Sequence, residues 1–220
     1  GGLDTVGVRI PRHKLALELI EKSGVPLAAP SANISGGLSP TEAIHVYEDL
    51  RGKIPLILDG GKTQVGIEST VLDLTKKVPV VLRPGWVTAE ELSEVLGEVI
   101  NHKGEVVIAE SPGMKYRHYA PKCPVVATKD AKAALRRYDS LKEEGFNPVI
   151  IGSEAFVLGS EGRQVLSLGK TADEHMSILF SSLRGAEKEY DFIIIEYFPH
   201  GGRYTALNNR IIKSAGGNII

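Results

Sequence analysis

Short apolar runs alternate with amphipathic stretches along most of this chain, and the alternation fails once, between residues 101 and 122. Strand-sized runs separated by helix-sized stretches predict sheets layered with helices, and the single break predicts two such units joined by a linker. In the first unit, residues 5–10, 56–59, 69–74 and 78–82 have strand composition. Residues 14–22 place Leu15, Leu17, Leu19 and Ile20 on an amphipathic helix. A second helix is expected after Ser39-Pro40-Thr41-Glu42, with Ser39 or Thr41 as its cap, and a third over residues 88–96, opened by Thr88 and closed by Gly97. The linker holds Gly104, Pro112, Gly113 and Pro121 and one candidate strand at residues 106–109. Beyond it, strands near residues 124–128, 148–152, 165–168 and 192–197 alternate with helices near 129–143, 172–187 and 203–214, which predicts a small Rossmann-like α/β sandwich. No Gly-x-Gly-x-x-Gly fingerprint accompanies it, so a dinucleotide site there has little support.

Hydrophobic content of 42% is enough for a buried core. A net charge of −1 provides no global basic field to recruit nucleic acid, although a local patch is compatible with it. The one cysteine, Cys123, rules out an internal disulfide and a multi-cysteine zinc site, and reads as small apolar filler. No run approaches the roughly 20 apolar residues that span a bilayer, and no signal pattern opens the chain, so a cytoplasmic enzyme is expected. The chain starts at Gly1-Gly2, and its first strand-like run arrives with nothing before it, which raises the expectation that an upstream segment is missing.

Residues 28–36, Ala-Ala-Pro-Ser-Ala-Asn-Ile-Ser-Gly, together with Ser39, collect hydroxyls, an amide and permissive backbone, which suits close approach to a phosphate. Taken alone, such a cluster is better explained by a plain turn. Three further segments set anion-binding chemistry beside short apolar runs: Gly66-Ile67-Glu68-Ser69-Thr70-Val71, Leu82-Arg83-Pro84-Gly85, and residues 111–121, which include Lys115, Tyr116, Arg117, His118 and Tyr119. There is no obvious nucleophile, metal cluster or carboxylate pair. Attack of a bound carboxylate on the α-phosphate of ATP needs none, because the protein's task is to align reactants and spread charge. Basic residues interleaved with aromatics at 115–119 suit either a nucleotide cover or a single-stranded RNA contact, and the residues leave both open.

In this order and spacing, the segments resemble the YrdC/Sua family of threonylcarbamoyl-adenylate synthases, in the longer form whose synthase domain carries a C-terminal extension. The resemblance implies an α/β fold: the C-terminal half of a YrdC-like twisted-sheet domain at residues 1–104, a linker and active-site lid at 105–122, and a Sua-type Rossmann-like domain at 123–220. Family members also carry an N-terminal half with an ATP-binding Lys-x-Arg motif. No counterpart to that half is seen here, so weak or absent activity is expected of this chain alone. The implied reaction combines L-threonine, bicarbonate and ATP into L-threonylcarbamoyl-adenylate and pyrophosphate. The product feeds a downstream transferase complex that makes N6-threonylcarbamoyladenosine in tRNA. Magnesium is expected on the phosphates, without a dedicated protein metal site. By motif position, Thr5, Ser31, Asn33, Ser39, Arg83 and His118 are implied at ATP, and Arg9, Ala29 and Ser69 at threonine, with Arg9 able to pair its carboxylate in two-pronged geometry. No catalytic side chain is assigned, and Glu68 is set aside as a solvated acid in a turn. The rivals are an RNA-binding module without catalysis, which the charge disfavours, and a related carbamoyl-transfer module. Direct contact with tRNA is left open.

Overall fold

The computed structural model describes residues 4–102 and 119–220. The second unit follows the expected plan. Strands β4 (Val125–Thr128), β5 (Pro148–Gly152), β6 (Val165–Ser167) and β7 (Phe192–Glu196) form a parallel sheet in the order β4-β7-β5-β6. Strands β4, β7 and β5 are buried on both faces, as parallel sheets require, while the edge strand β6 is largely exposed. Val125, Ala127, Val149, Ile151, Ile193 and Ile195 pack with α6 (Ala172–Glu189) and α7 (Tyr204–Ser214). The alternate residues Val126, Ile150 and Ile194 pack with α4 (Ala131–Glu143) and α5 (Glu154–Val157). Period-two side-chain alternation thus divides the core into two layers with helices on both sides.

The first unit is thinner. Strand β1 (Val71–Asp73) pairs antiparallel with β2 (Val80–Arg83), which pairs in parallel with β3 (Ile100–Asn101). The unit also holds helices α1 (Lys14–Ser23), α2 (Ala43–Leu50) and α3 (Ala89–Leu96), α3 opening with a Thr88–Glu91 capping box. The runs at 5–10 and 56–59, expected as strands, are not strands here. A strand holds only when a neighbour takes its backbone hydrogen bonds, and among the described residues neither run pairs with one; Val6, Val8 and Ile10 are 83–85% exposed. The cap of α2 also differs. Its N-cap is Glu42 without a side-chain bond, because the Ser39 hydroxyl is engaged by Glu68 while His45 Nδ1 accepts from the Thr41 N–H at 3.2 Å. The candidate strand at 106–109 and the lid residues 105–118 lie outside the described residues.

The two units share one core. Leu38, Ile67 and Tyr119 belong to the same apolar cluster as the α6 and α7 side chains. Gly66, at φ +80°, lies directly against the backbone of Met176 and Ser177 in α6. Around this contact run polar ties: Arg184 to Asp49 at 2.7 and 3.2 Å, Lys188 to Glu48 at 2.7 Å, Arg203 to Glu91 at 3.1 Å, and the Trp86 indole N–H to Asp173 at 3.1 Å.

Candidate functional site

Among the described residues, the segments around Ser39, Glu68 and Pro84 meet at the seam between the units. In the small-residue loop, the Asn33 amide donates to the carbonyls of Ile34 (2.9 Å) and Gly37 (3.3 Å), closing a turn that Gly36 permits with φ +85°. The loop's end is fixed from the second unit, where the buried Arg184 donates to the carbonyls of Leu38 and Ser39 while pairing with Asp49. The Ser39 hydroxyl donates to one oxygen of the Glu68 carboxylate. The other oxygen accepts from Arg210 Nε at 3.0 Å. Arg210, on α7 and fully buried, also donates from Nη1 to the Pro84 carbonyl at 2.7 Å and from Nη2 to the Glu68 carbonyl at 3.4 Å. Arg83 folds over the neighbouring strand and donates to the Ser69 carbonyl at 3.1 and 2.9 Å. Gly85 is required behind it, because a Cβ there would fall on the backbone of Ser69 and Thr70.

The electrostatics favour an anion. Burial opposes ionisation of Glu68, yet the Arg210 charge and the Ser39 hydrogen bond outweigh it and hold the carboxyl below its ordinary range. Burial, then repulsion from Arg210, lowers the Arg83 pKa from its usual value, with Arg9 close enough to add to the effect. Lys213 is lowered in turn by burial and by the charges of Arg210 and Arg83. Three cations, Arg83, Arg210 and Lys213, therefore act electrostatically on the one carboxylate of Glu68. Burial raises the Tyr119 hydroxyl, whose ring lies 5.7 Å from the Arg210 guanidinium and whose φ is +63°. A depression of about 490 Å³ lined by Gly36, Ala120, Cys123 and Asn218 does not include the Ser39–Arg83 cluster.

Of the residues singled out in the sequence, the fold ties Ser39, through Glu68 and Arg210, to the segments that carry Ser69 and Arg83, with Asn33 shaping the loop that leads in. Arg9 acts on this group through its charge on Arg83; Thr5, Ala29 and Ser31 are exposed on loops. His118 lies outside the described residues. Glu68 is no solvated turn acid but a half-buried carboxylate bound on both oxygens. Arg210 and Arg184 were given no site role from the sequence, although an arginine in line with the buried Leu207, Ile211 and Ser214 signals a partner from outside its own helix.

The family model for the C-terminal domain of threonylcarbamoyl-AMP synthase matches residues 87–216, more than half of the sequence. The chain belongs to this family. A second model, described as "Telomere recombination", matches residues 1–85. Among curated relatives, all of the chain aligns with 66% of the threonylcarbamoyl-AMP synthase of Pyrococcus abyssi at 45% identity, and with 65% of that of Bacillus subtilis at 42%. The crystal structure of P. abyssi Sua5 complexed with L-threonine superposes with a TM-score of 0.92 at 45% identity, covering the whole chain and 66% of that structure. The chain thus spans about two thirds of the length of these family members. The described part has the two-unit α/β architecture of that neighbour. Among the described residues no helix is long and apolar enough to cross a membrane, and no group of three or more His, Cys, Asp or Glu is placed to hold a metal.

Proposed function

We propose that this protein takes part in making L-threonylcarbamoyl-adenylate from L-threonine, bicarbonate and ATP, with release of pyrophosphate, for N6-threonylcarbamoyladenosine in tRNA. The observation that carries the reading is the cationic cluster of Arg83, Arg210 and Lys213 around Glu68 and Ser39, at the junction of three motif segments, in a chain alignable over its full length with proteins named threonylcarbamoyl-AMP synthase. Carboxylation of the threonine amine creates a carboxylate. That oxygen attacks the α-phosphorus of ATP, and the bond to pyrophosphate breaks. Charge builds on the phosphorus oxygens and on the leaving group, where fixed cations and backbone N–H groups act without reorganising.

In this reading Thr5, Ser31, Asn33, Ser39, Arg83 and His118 serve ATP. Arg9, Ala29 and Ser69 serve threonine, Arg9 pairing with its carboxylate. Residues 1–104 act as the synthase part, 105–122 as a lid, and 123–220 as the supporting domain. Magnesium enters on the ATP phosphates, and the product passes to a tRNA-modifying transferase complex in the cytoplasm. The test is pyrophosphate release with threonine and bicarbonate each present or omitted, and mass-spectrometric detection of the adenylate. It is run on this chain and on the chain joined to the third of the P. abyssi relative that it does not match. Release dependent on both co-substrates supports the proposal; none from either form refutes it.

A further inference from the structure

Among the described residues, all but one of the acceptors of Arg210 belong to the motif segments of the other unit: Glu68 Oε2, the Glu68 carbonyl and the Pro84 carbonyl, the remaining one being its neighbour Asn209 at 3.2 Å. A fully buried guanidinium is costly to dehydrate, and α7 gains nothing from it that leucine or methionine would not supply by packing. Its hydrogen bonds are spent on the geometry of residues 66–71 and 82–85. Glu68 has one carboxylate oxygen on Arg210 and the other on Ser39. Ionised, it can only accept, so Ser39 must donate. A serine hydroxyl has one proton, which leaves Ser39 facing any ligand with lone pairs alone.

We propose that Arg210 is a positioning residue for the nucleotide site: it fixes the Glu68 carboxylate, which takes the Ser39 proton and makes Ser39 an acceptor for an O–H or N–H group of the nucleotide instead of a donor to phosphate. The inference rests on the synthase reading above. It gives the second unit a defined role, since residue 210 acts on residue 39 across the seam through one side chain.

The test is ATP affinity by calorimetry in a double-mutant cycle of Arg210→Lys and Ser39→Ala, with Glu68→Gln as a second route to the same defect that keeps the side-chain shape. Each single substitution is expected to weaken ATP about tenfold, the loss of one charge-assisted hydrogen bond. In the Ser39→Ala background, Arg210→Lys is expected to add less than about twofold, because the group it positions is gone. A merely structural role for Arg210 predicts additive losses instead. Additive losses, or an unchanged affinity in Arg210→Lys and Glu68→Gln while the parent chain binds ATP, overturn the inference and leave the synthase reading standing. A chain that binds no ATP even when joined to the third of the P. abyssi relative that it does not match overturns both.

Discussion

The bond between Arg184 and Asp49 is expected to hold the seam closed. Arg184 has only 6% of its side chain exposed and Asp49 17%, and two donor–acceptor contacts of 2.7 and 3.2 Å join them. Removing one partner of such a pair leaves an uncompensated charge and costs about 3–5 kcal/mol. Arg184 keeps the carbonyls of Leu38 and Ser39, so the lower end, about 3 kcal/mol, is expected for Asp49→Ala. The nearby Lys188–Glu48 pair is equally short at 2.7 Å but half-exposed, and Glu48→Ala should cost less than about 1 kcal/mol. Trp86, the chain's one tryptophan, is bonded to Asp173 across the seam, so its fluorescence during urea unfolding reports seam opening. Burial opposes ionisation of Asp49, but the Arg184 hydrogen bonds and charge prevail and lower its pKa. The stabilisation is therefore complete above the unfolded carboxylate's value near 4 and lost as pH falls through the folded one, so parent and Asp49→Ala should converge at acid pH. A cost below about 1 kcal/mol at neutral pH, or equal costs for Asp49→Ala and Glu48→Ala, would refute the reasoning.

Gly66→Ala should destabilise by roughly 2 kcal/mol or more in the same urea assay, since φ +80° strains alanine and the methyl would fall on the Met176–Ser177 backbone; an unchanged midpoint would contradict that packing. His45 is lowered by burial and then by Arg184, with Lys188 adding and Glu42 and Glu48 opposing. Its contribution is full above the unfolded value near 6.5 and declines as pH falls, so His45→Gln should flatten the stability profile between about pH 7 and 5, and an identical slope would count against it. Burial pushes the Cys123 thiol up to about 11. Iodoacetamide labelling at pH 8 should therefore run more than about tenfold slower than for an unperturbed thiol, and labelling at the free-thiol rate would show the site is open.

The second unit was legible because its inner strands, β5 and β7, are buried on both faces. Val149, Ile150 and Ile151, and then Ile193, Ile194 and Ile195, read as unbroken apolar runs, and Thr171 with Glu174 marks the start of α6 by a reciprocal cap. Strand composition misled at residues 5–10, since Val6, Val8 and Ile10 have the alternation but no described neighbour to bond. At the site, Ser39, Ser69 and Arg83 were legible as hydroxyls and a cation beside glycine turns. The groups that organise them were not. Glu68 receives its partners from positions 29 residues before it and 142 after it, and Arg184 reaches 146 residues back to Leu38. Local pattern carries no record of pairings made by tertiary packing.

The central proposal is that the nucleotide is held on the face that carries Ser39 and Arg83. Calorimetric titration of ATP into the parent chain, Arg83→Ala and Arg163→Ala tests it most directly, since Arg163 is paired with Asp139 on α4 and belongs to no motif segment. The account predicts about tenfold weaker binding for Arg83→Ala and no change for Arg163→Ala. Equal affinities for all three proteins would contradict it.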